Sequence, residues 1–150
     1  MKHTFYFFAG CIAVLMMALS FGACEKNSAS GPVELTDPET GETYYNVVGT
    51  WWAEERYYDY GETYESMTIR MYSNGRGNYS YYFRDEEDSE SVSYNFGYTY
   101  DHRTSLLEVV VYDLPDYGNQ SMSLRIQWQD ANHIIVYDNY GGEWGRLERK

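Results

Sequence analysis

Ser91-Val92-Ser93-Tyr94-Asn95-Phe96-Gly97-Tyr98-Thr99-Tyr100 alternates without a break between large apolar or aromatic side chains and small or polar ones. A period of two places Val92, Tyr94, Phe96, Tyr98 and Tyr100 on one face of an extended strand. The partner residues face water. Ser121 to Gln129 repeats the pattern, with Met122, Leu124, Ile126 and Trp128 on the apolar face. Met67, Ile69 and Met71 form a third such face, and Tyr79, Tyr81 and Phe83 a fourth. Between these two lies Ser73-Asn74-Gly75-Arg76-Gly77. Asn-Gly accepts the positive φ of a tight hairpin, so the flanking strands should be antiparallel neighbours.

Working outward, further strands are expected over Val47–Tyr57, Leu106–Asp113, His133–Asp138 and Glu143–Arg149. Their separators are turn-like: Asp101-His102-Arg103-Thr104, Pro115-Asp116-Tyr117-Gly118, Asp130-Ala131-Asn132 and Asn139-Tyr140-Gly141-Gly142. Short connections keep sequence neighbours together in space. Eight antiparallel strands in a meander leave two open edges unless the sheet closes on itself. A two-sheet sandwich would need longer crossing connections, which are missing here. The expected fold is therefore all-β, an eight-stranded antiparallel up-and-down barrel.

The first residues follow different rules. Lys2 precedes an almost unbroken apolar run from Phe5 to Phe21, and Gly22, Ala23 and Cys24 follow. A positive start, an apolar stretch and small residues are the grammar of a secretory signal. The run reaches the lower limit for a membrane span, but no basic cluster follows to anchor it. Leu19-Ser20-Phe21-Gly22-Ala23-Cys24 resembles a bacterial lipobox. That resemblance implies lipid on the Cys24 thiol and cleavage just before it. Phe21 departs from the usual leucine. Phe8-Ala9-Gly10-Cys11 is superficially similar, but cleavage there would expose Ile12–Leu19. The expected layout is a signal peptide over 1–23, a lipidated Cys24 with a flexible tether over 24–43, and the barrel over 44–150. Asp37-Pro38-Glu39-Thr40-Gly41 reads as a turn inside the polar tether.

Composition narrows the function. The 150-residue chain has a formal charge of −12, which argues against a nucleic-acid partner and against a basic lipid-binding patch. Aromatic residues are 19% of the chain, far from a disordered composition. The only cysteines are Cys11 and Cys24. A processed domain then has no disulfide and no cysteine zinc site, and depends on core packing. No cofactor is implied. A monomer is expected, attached to the membrane of the cell envelope, in the first instance the outer membrane, by its N-terminal lipid.

Val47-Val48-Gly49-Thr50-Trp51 carries the Gly-x-Trp pattern of lipocalin-like barrels. The hairpin from Ile69 to Tyr79 and the ending Trp144-Gly145-Arg146-Leu147-Glu148-Arg149 are also similar to the small lipocalin-like domain lipoproteins of Gram-negative bacteria. The resemblance runs over Val47–Arg149. It implies that Trp51 fills the closed end of the barrel and that Arg149, from the last strand, packs over it.

Other constellations carry bland readings beside sharper ones. Asp101-His102 has half of an acid–base pair, but no nucleophile motif accompanies it, and adjacency does not make a triad. It reads as surface placement, and His133 likewise. Asp85-Glu86-Glu87-Asp88 with Glu90 could attract calcium but lacks EF-hand spacing; it reads as a solvated loop. The same holds for Glu54, Glu55, Asp59, Glu62 and Glu65. No catalytic set converges, so the protein reads as a non-enzyme.

Two functions remain. The first is a binder of a small apolar or amphipathic ligand, contacted by Tyr81, Tyr94, Tyr98 and Trp128 in a shallow cup. The second is an interaction module with a filled barrel. It would hold a protein or glycan through outward tyrosines such as Tyr57, Tyr58, Tyr60, Tyr64 and Tyr82.

Overall fold

Apolar side chains at alternate positions can leave water only if their strands share one interior, and the chain closes around that interior. The computed structural model describes residues 29–58 and 61–150. The signal segment, Cys11, Cys24, Asp59 and Tyr60 lie outside the described residues, as does the Tyr57 side chain.

Ten strands follow in order: β1 (Glu34–Thr36), β2 (Thr43–Tyr45), β3 (Gly49–Tyr57), β4 (Thr63–Met71), β5 (Arg76–Arg84), β6 (Ser89–Asp101), β7 (Leu106–Leu114), β8 (Gly118–Asp130), β9 (His133–Tyr137) and β10 (Glu143–Arg149). β3 to β10 form a closed antiparallel barrel in chain order, with β10 returning to β3. This is the eight-stranded up-and-down barrel that the alternation requires. The β4–β5 turn has Gly75 at φ 76°, the conformation for which Asn-Gly is suited.

The interior alternation is kept through register. Trp51 faces Ile69, Met67 faces Tyr81, Tyr79 faces Tyr94, and Leu107 faces Leu124. Trp51, Met71, Ile126 and Ile134 are almost fully buried. Gly77 serves this packing, because a Cβ there would fall 2.2 Å from the Phe96 ring.

The two barrel ends differ. Turns β4–β5, β6–β7 and β8–β9 lie at the end that holds Trp51. Loops β3–β4, β5–β6, β7–β8 and β9–β10 lie at the other. Trp51 is wholly buried, and its Nε1 donates to the Val47 carbonyl at 2.9 Å. The Arg149 guanidinium covers its ring at 4.4 Å. Gly49 permits this approach, since a Cβ there would lie 2.7 Å from an Arg149 nitrogen.

β1 and β2 differ from the tether expected over 24–43. They pair as a hairpin, Glu34 with Tyr45 and Thr36 with Thr43. The turn between them is the Asp37–Gly41 stretch, with Gly41 at φ 74°. Asp37 is 2% exposed, and its carboxylate is fully engaged. One oxygen accepts from the Glu39 and Thr40 amides at 2.8 and 3.4 Å. The other accepts from Arg103 at 2.9 and 3.1 Å and meets His102 Nε2 at 3.0 Å. These bonds hold the carboxyl well below the usual carboxylate range, the Glu39 amide contributing most and Arg103 next. His102, read as surface placement, instead stacks on Tyr44 at 3.8 Å. The polar composition that suggests a tether also supplies the groups that dock this hairpin on the β6–β7 turn.

Candidate functional site

The open half of the barrel encloses a cavity of about 250 Å³. Every side chain on its wall is aliphatic, methionine or aromatic. Ile69, Met71, Phe96 and Leu107 line it together with Val109, Met122 and Leu124. Tyr79 and Tyr94 stand in its upper wall as stacked rings, 6.5 Å apart and 9° from parallel. Burial pushes the Tyr79 phenol up, and the neighbouring Tyr94 and Glu65 add to the shift. The neutral phenol is therefore the form this wall holds.

Trp144 also faces the cavity, 6.2 Å from Tyr79. Strict alternation from Leu147 and Gly145 would turn it outward. A register shift between Glu143 and Gly145 against β9 re-aims it. No pattern in the sequence marks this shift, so the role of Trp144 in the site is visible only in the folded barrel.

A second, wider cleft of about 650 Å³ adjoins the cavity. It exists because β10 and β3 pair only at Trp51–Arg149 and Trp52–Glu148. Beyond those pairs the strands diverge. Ala53, Glu54 and Glu55 form one lip, and Glu143 to Arg146 the other. Met67, Tyr79 and Tyr81 form the back of the cleft with Glu65. Tyr79 and Trp144 border both spaces, so the cleft and the cavity meet at this pair. Met67 reaches across the seam: a Cβ on Gly145 would lie 3.4 Å from its terminal methyl.

The four aromatic residues expected to share one site are divided between the two ends. Tyr94 lines the cavity, and Tyr81 lines the cleft beside Glu65. Burial, and then the negative charge of Glu65, push the Tyr81 phenol up. Tyr98 and Trp128 do not line the cavity. The Tyr98 hydroxyl donates to the Tyr72 carbonyl at 2.6 Å, beside the β4–β5 turn. Trp128 packs on Trp51 at 5.6 Å and Tyr45 at 5.2 Å, and its Nε1 donates to the Tyr100 hydroxyl at 2.9 Å. Both belong to the floor. Counting turns could have shown this, because Trp128 lies just before a turn at the Trp51 end.

The remaining candidates have local partners. Asp85 folds its own loop, accepting from the Glu87 and Asp88 amides at 2.8 and 2.7 Å. His133 pairs with Asp130 at 2.9 Å in an exposed turn. Tyr64 and Tyr82 lie 6.1 Å apart on the outer face, with Arg56 over Tyr64 at 5.2 Å. Among the described residues, no three His, Cys, Asp or Glu side chains are grouped to hold a metal ion.

No protein-family model, no curated protein and no solved structure matches this chain.

Proposed function

We propose that this is an exported lipocalin-like lipoprotein, anchored through Cys24 in the cell envelope, that binds a small apolar or amphipathic ligand without catalysis. The observation that carries the reading is the 250 Å³ cavity walled entirely by carbon-rich side chains at the open end of the barrel. Small-molecule sites occupy roughly 300–1,000 Å³ and combine apolar walls with a few polar groups at one end. The cavity lies just below that range, and the adjoining cleft supplies the polar end. A barrel of eight strands can leave room for one small ligand.

Titration of the purified protein with the neutral fluorophore N-phenylnaphthylamine tests the reading. Saturable fluorescence gain is expected, and Val109→Trp should abolish it by filling the wall. Fluorescence that saturates equally in Val109→Trp would remove the cavity as the site.

An interaction module is the second reading, favoured by one observation. Tyr58, Tyr117 and Tyr140 are 69%, 74% and 97% exposed, and all three lie on loops of the open end. Exposed rings clustered at one end suit a protein surface or a sugar face. Undiminished partner capture by Val109→Trp, with loss in Tyr117→Ser/Tyr140→Ser, would favour it.

A further inference from the structure

The ligand-binding reading leaves the chemistry of the ligand's polar end open, and the seam between β3 and β10 addresses it. The apolar cavity can take only a short tail. Anything larger must extend past Tyr79 and Trp144 into the cleft.

Four carboxylates line that cleft, Glu54, Glu55, Glu65 and Glu143, against the single guanidinium of Arg146. Arg146 is already committed to Glu143, at 2.8 and 3.1 Å. Glu54 accepts from the Tyr64 hydroxyl at 3.2 Å on the outer face. Glu55 and Glu65 are different. They are direct cross-strand partners in the inner phase, continuing Trp51–Ile69 and Ala53–Met67. Like charges placed opposite one another on one face of a sheet are unfavourable. Glu90 follows in the same phase, opposite Phe83, and its charge reaches Tyr81. The one basic side chain in the inner phase among the described residues is Arg149, at the far end over Trp51.

The second property of the cleft is aromatic. Tyr79, Tyr81 and Trp144 line it together. Aromatic faces attract cations, and cages of such rings recognise quaternary ammonium groups. An acidic rim alone would suit any cation, including a hydrated one. Aromatic rings beside an apolar cavity favour a weakly hydrated cation that carries a tail.

We infer that the cavity takes a cationic amphiphile: an apolar tail among Phe96, Val109 and Met122, and an ammonium-type head in the β3–β10 seam, between the Glu55–Glu65 pair and the Tyr79, Tyr81 and Trp144 rings. This rests on the apolar-ligand reading above. The head relieves the repulsion between Glu55 and Glu65 when it binds.

Isothermal titration of the purified protein compares decyltrimethylammonium, decyl maltoside and decyl sulfate below their micellar concentrations. The cation is expected to bind about tenfold tighter than the neutral amphiphile, with the anion weakest. The preference should shrink as salt is raised. In Glu55→Gln/Glu65→Gln the cation-to-neutral ratio should fall to about one, and in Trp144→Leu it should fall part of the way. The double variant removes a repulsive pair, so its melting midpoint should not drop. Equal binding of cation and neutral amphiphile, or a ratio that survives in the double variant, would overturn the head assignment and leave the apolar-ligand reading intact. Binding of none of the amphiphiles would bring down both.

Discussion

Arg149 lies over Trp51 at 4.4 Å and donates to three backbone carbonyls around it: Val48 at 2.8 Å, Asn46 at 2.5 Å and Ala131 at 3.1 Å. One side chain thereby joins the segment before the first barrel strand, the last strand and the β8–β9 turn. It stands where the β3–β10 pairing is shortest. Burial lowers the basicity of the guanidinium, and the cation stays charged because its ordinary value is so high.

Trp51→Ala should cost about 3–5 kcal/mol in urea denaturation, the range for emptying a large aromatic site in a core. Arg149→Lys keeps the charge but cannot spread donors to three carbonyls. It should therefore still lower the unfolding free energy, by about 1–3 kcal/mol, and with it the midpoint. An Arg149→Lys midpoint equal to that of the wild type would show that charge over the ring, rather than the donor fan, closes the barrel.

The β1–β2 hairpin should undock at acid pH. The folded-state pKa of Asp37 is depressed below its ordinary 3.8, chiefly by the Glu39 amide and then by Arg103. A depressed carboxyl contributes stability that is complete above the ordinary value and is lost as pH falls through the folded one. Amide exchange over 34–45 should be protected at neutral pH and should rise selectively in strong acid. Asp37→Ala should show the same fast exchange at neutral pH while the β6–β7 ladder stays protected. Unchanged exchange of the hairpin in Asp37→Ala would remove the carboxylate as its clasp.

Tyr98 makes the opposite prediction at alkaline pH. Burial pushes its phenol up to about 12 from an ordinary 10.0. A raised phenol favours the folded state fully below pH 10.0, and that contribution is lost as pH climbs through the folded value. Absorbance titration should therefore show several tyrosines that ionise late, with the last of them lost in Tyr98→Phe. The same variant should lose about 1 kcal/mol at neutral pH, because the Tyr72 carbonyl loses the shorter of its two hydrogen bonds and keeps the one from the Gly75 amide.

The anchor prediction concerns Cys24. Cys24→Ala should prevent incorporation of labelled fatty acid and leave the unprocessed chain, because the thiol is the acceptor. Two or more acyl chains are needed for lasting membrane attachment, so wild-type protein should fractionate with membranes. Labelling that survives in Cys24→Ala but is lost in Cys11→Ala would move the anchor to Cys11.

Alternation and turn chemistry by themselves determined the strand class, the number of barrel strands and the face that side chains take wherever a strand keeps its register. Val92 to Tyr100 has only one way to hide its rings, and Asn74-Gly75 joins its neighbours in only one sense. Trp51 was legible as the plug through the Gly-x-Trp pattern. Height along the barrel axis was not legible in the same way. A period of two says which residues point inward, while the stagger between paired strands decides whether an inward residue meets the floor or the mouth. Tyr98 and Trp128 therefore went to the floor, and Tyr94 to the cavity.

Other features required contacts between segments far apart in the chain. Asp37 becomes a buried anchor only when His102 and Arg103 arrive from 65 and 66 positions away. Trp144 turns inward only because β10 slips against β9. The cleft opens only because β3 and β10 separate after two pairs. These are consequences of closing a ring of strands, in which the last edge must accept whatever register the earlier pairings leave. Local sequence specifies each strand's two faces; closure of the barrel decides where along those faces a cavity remains.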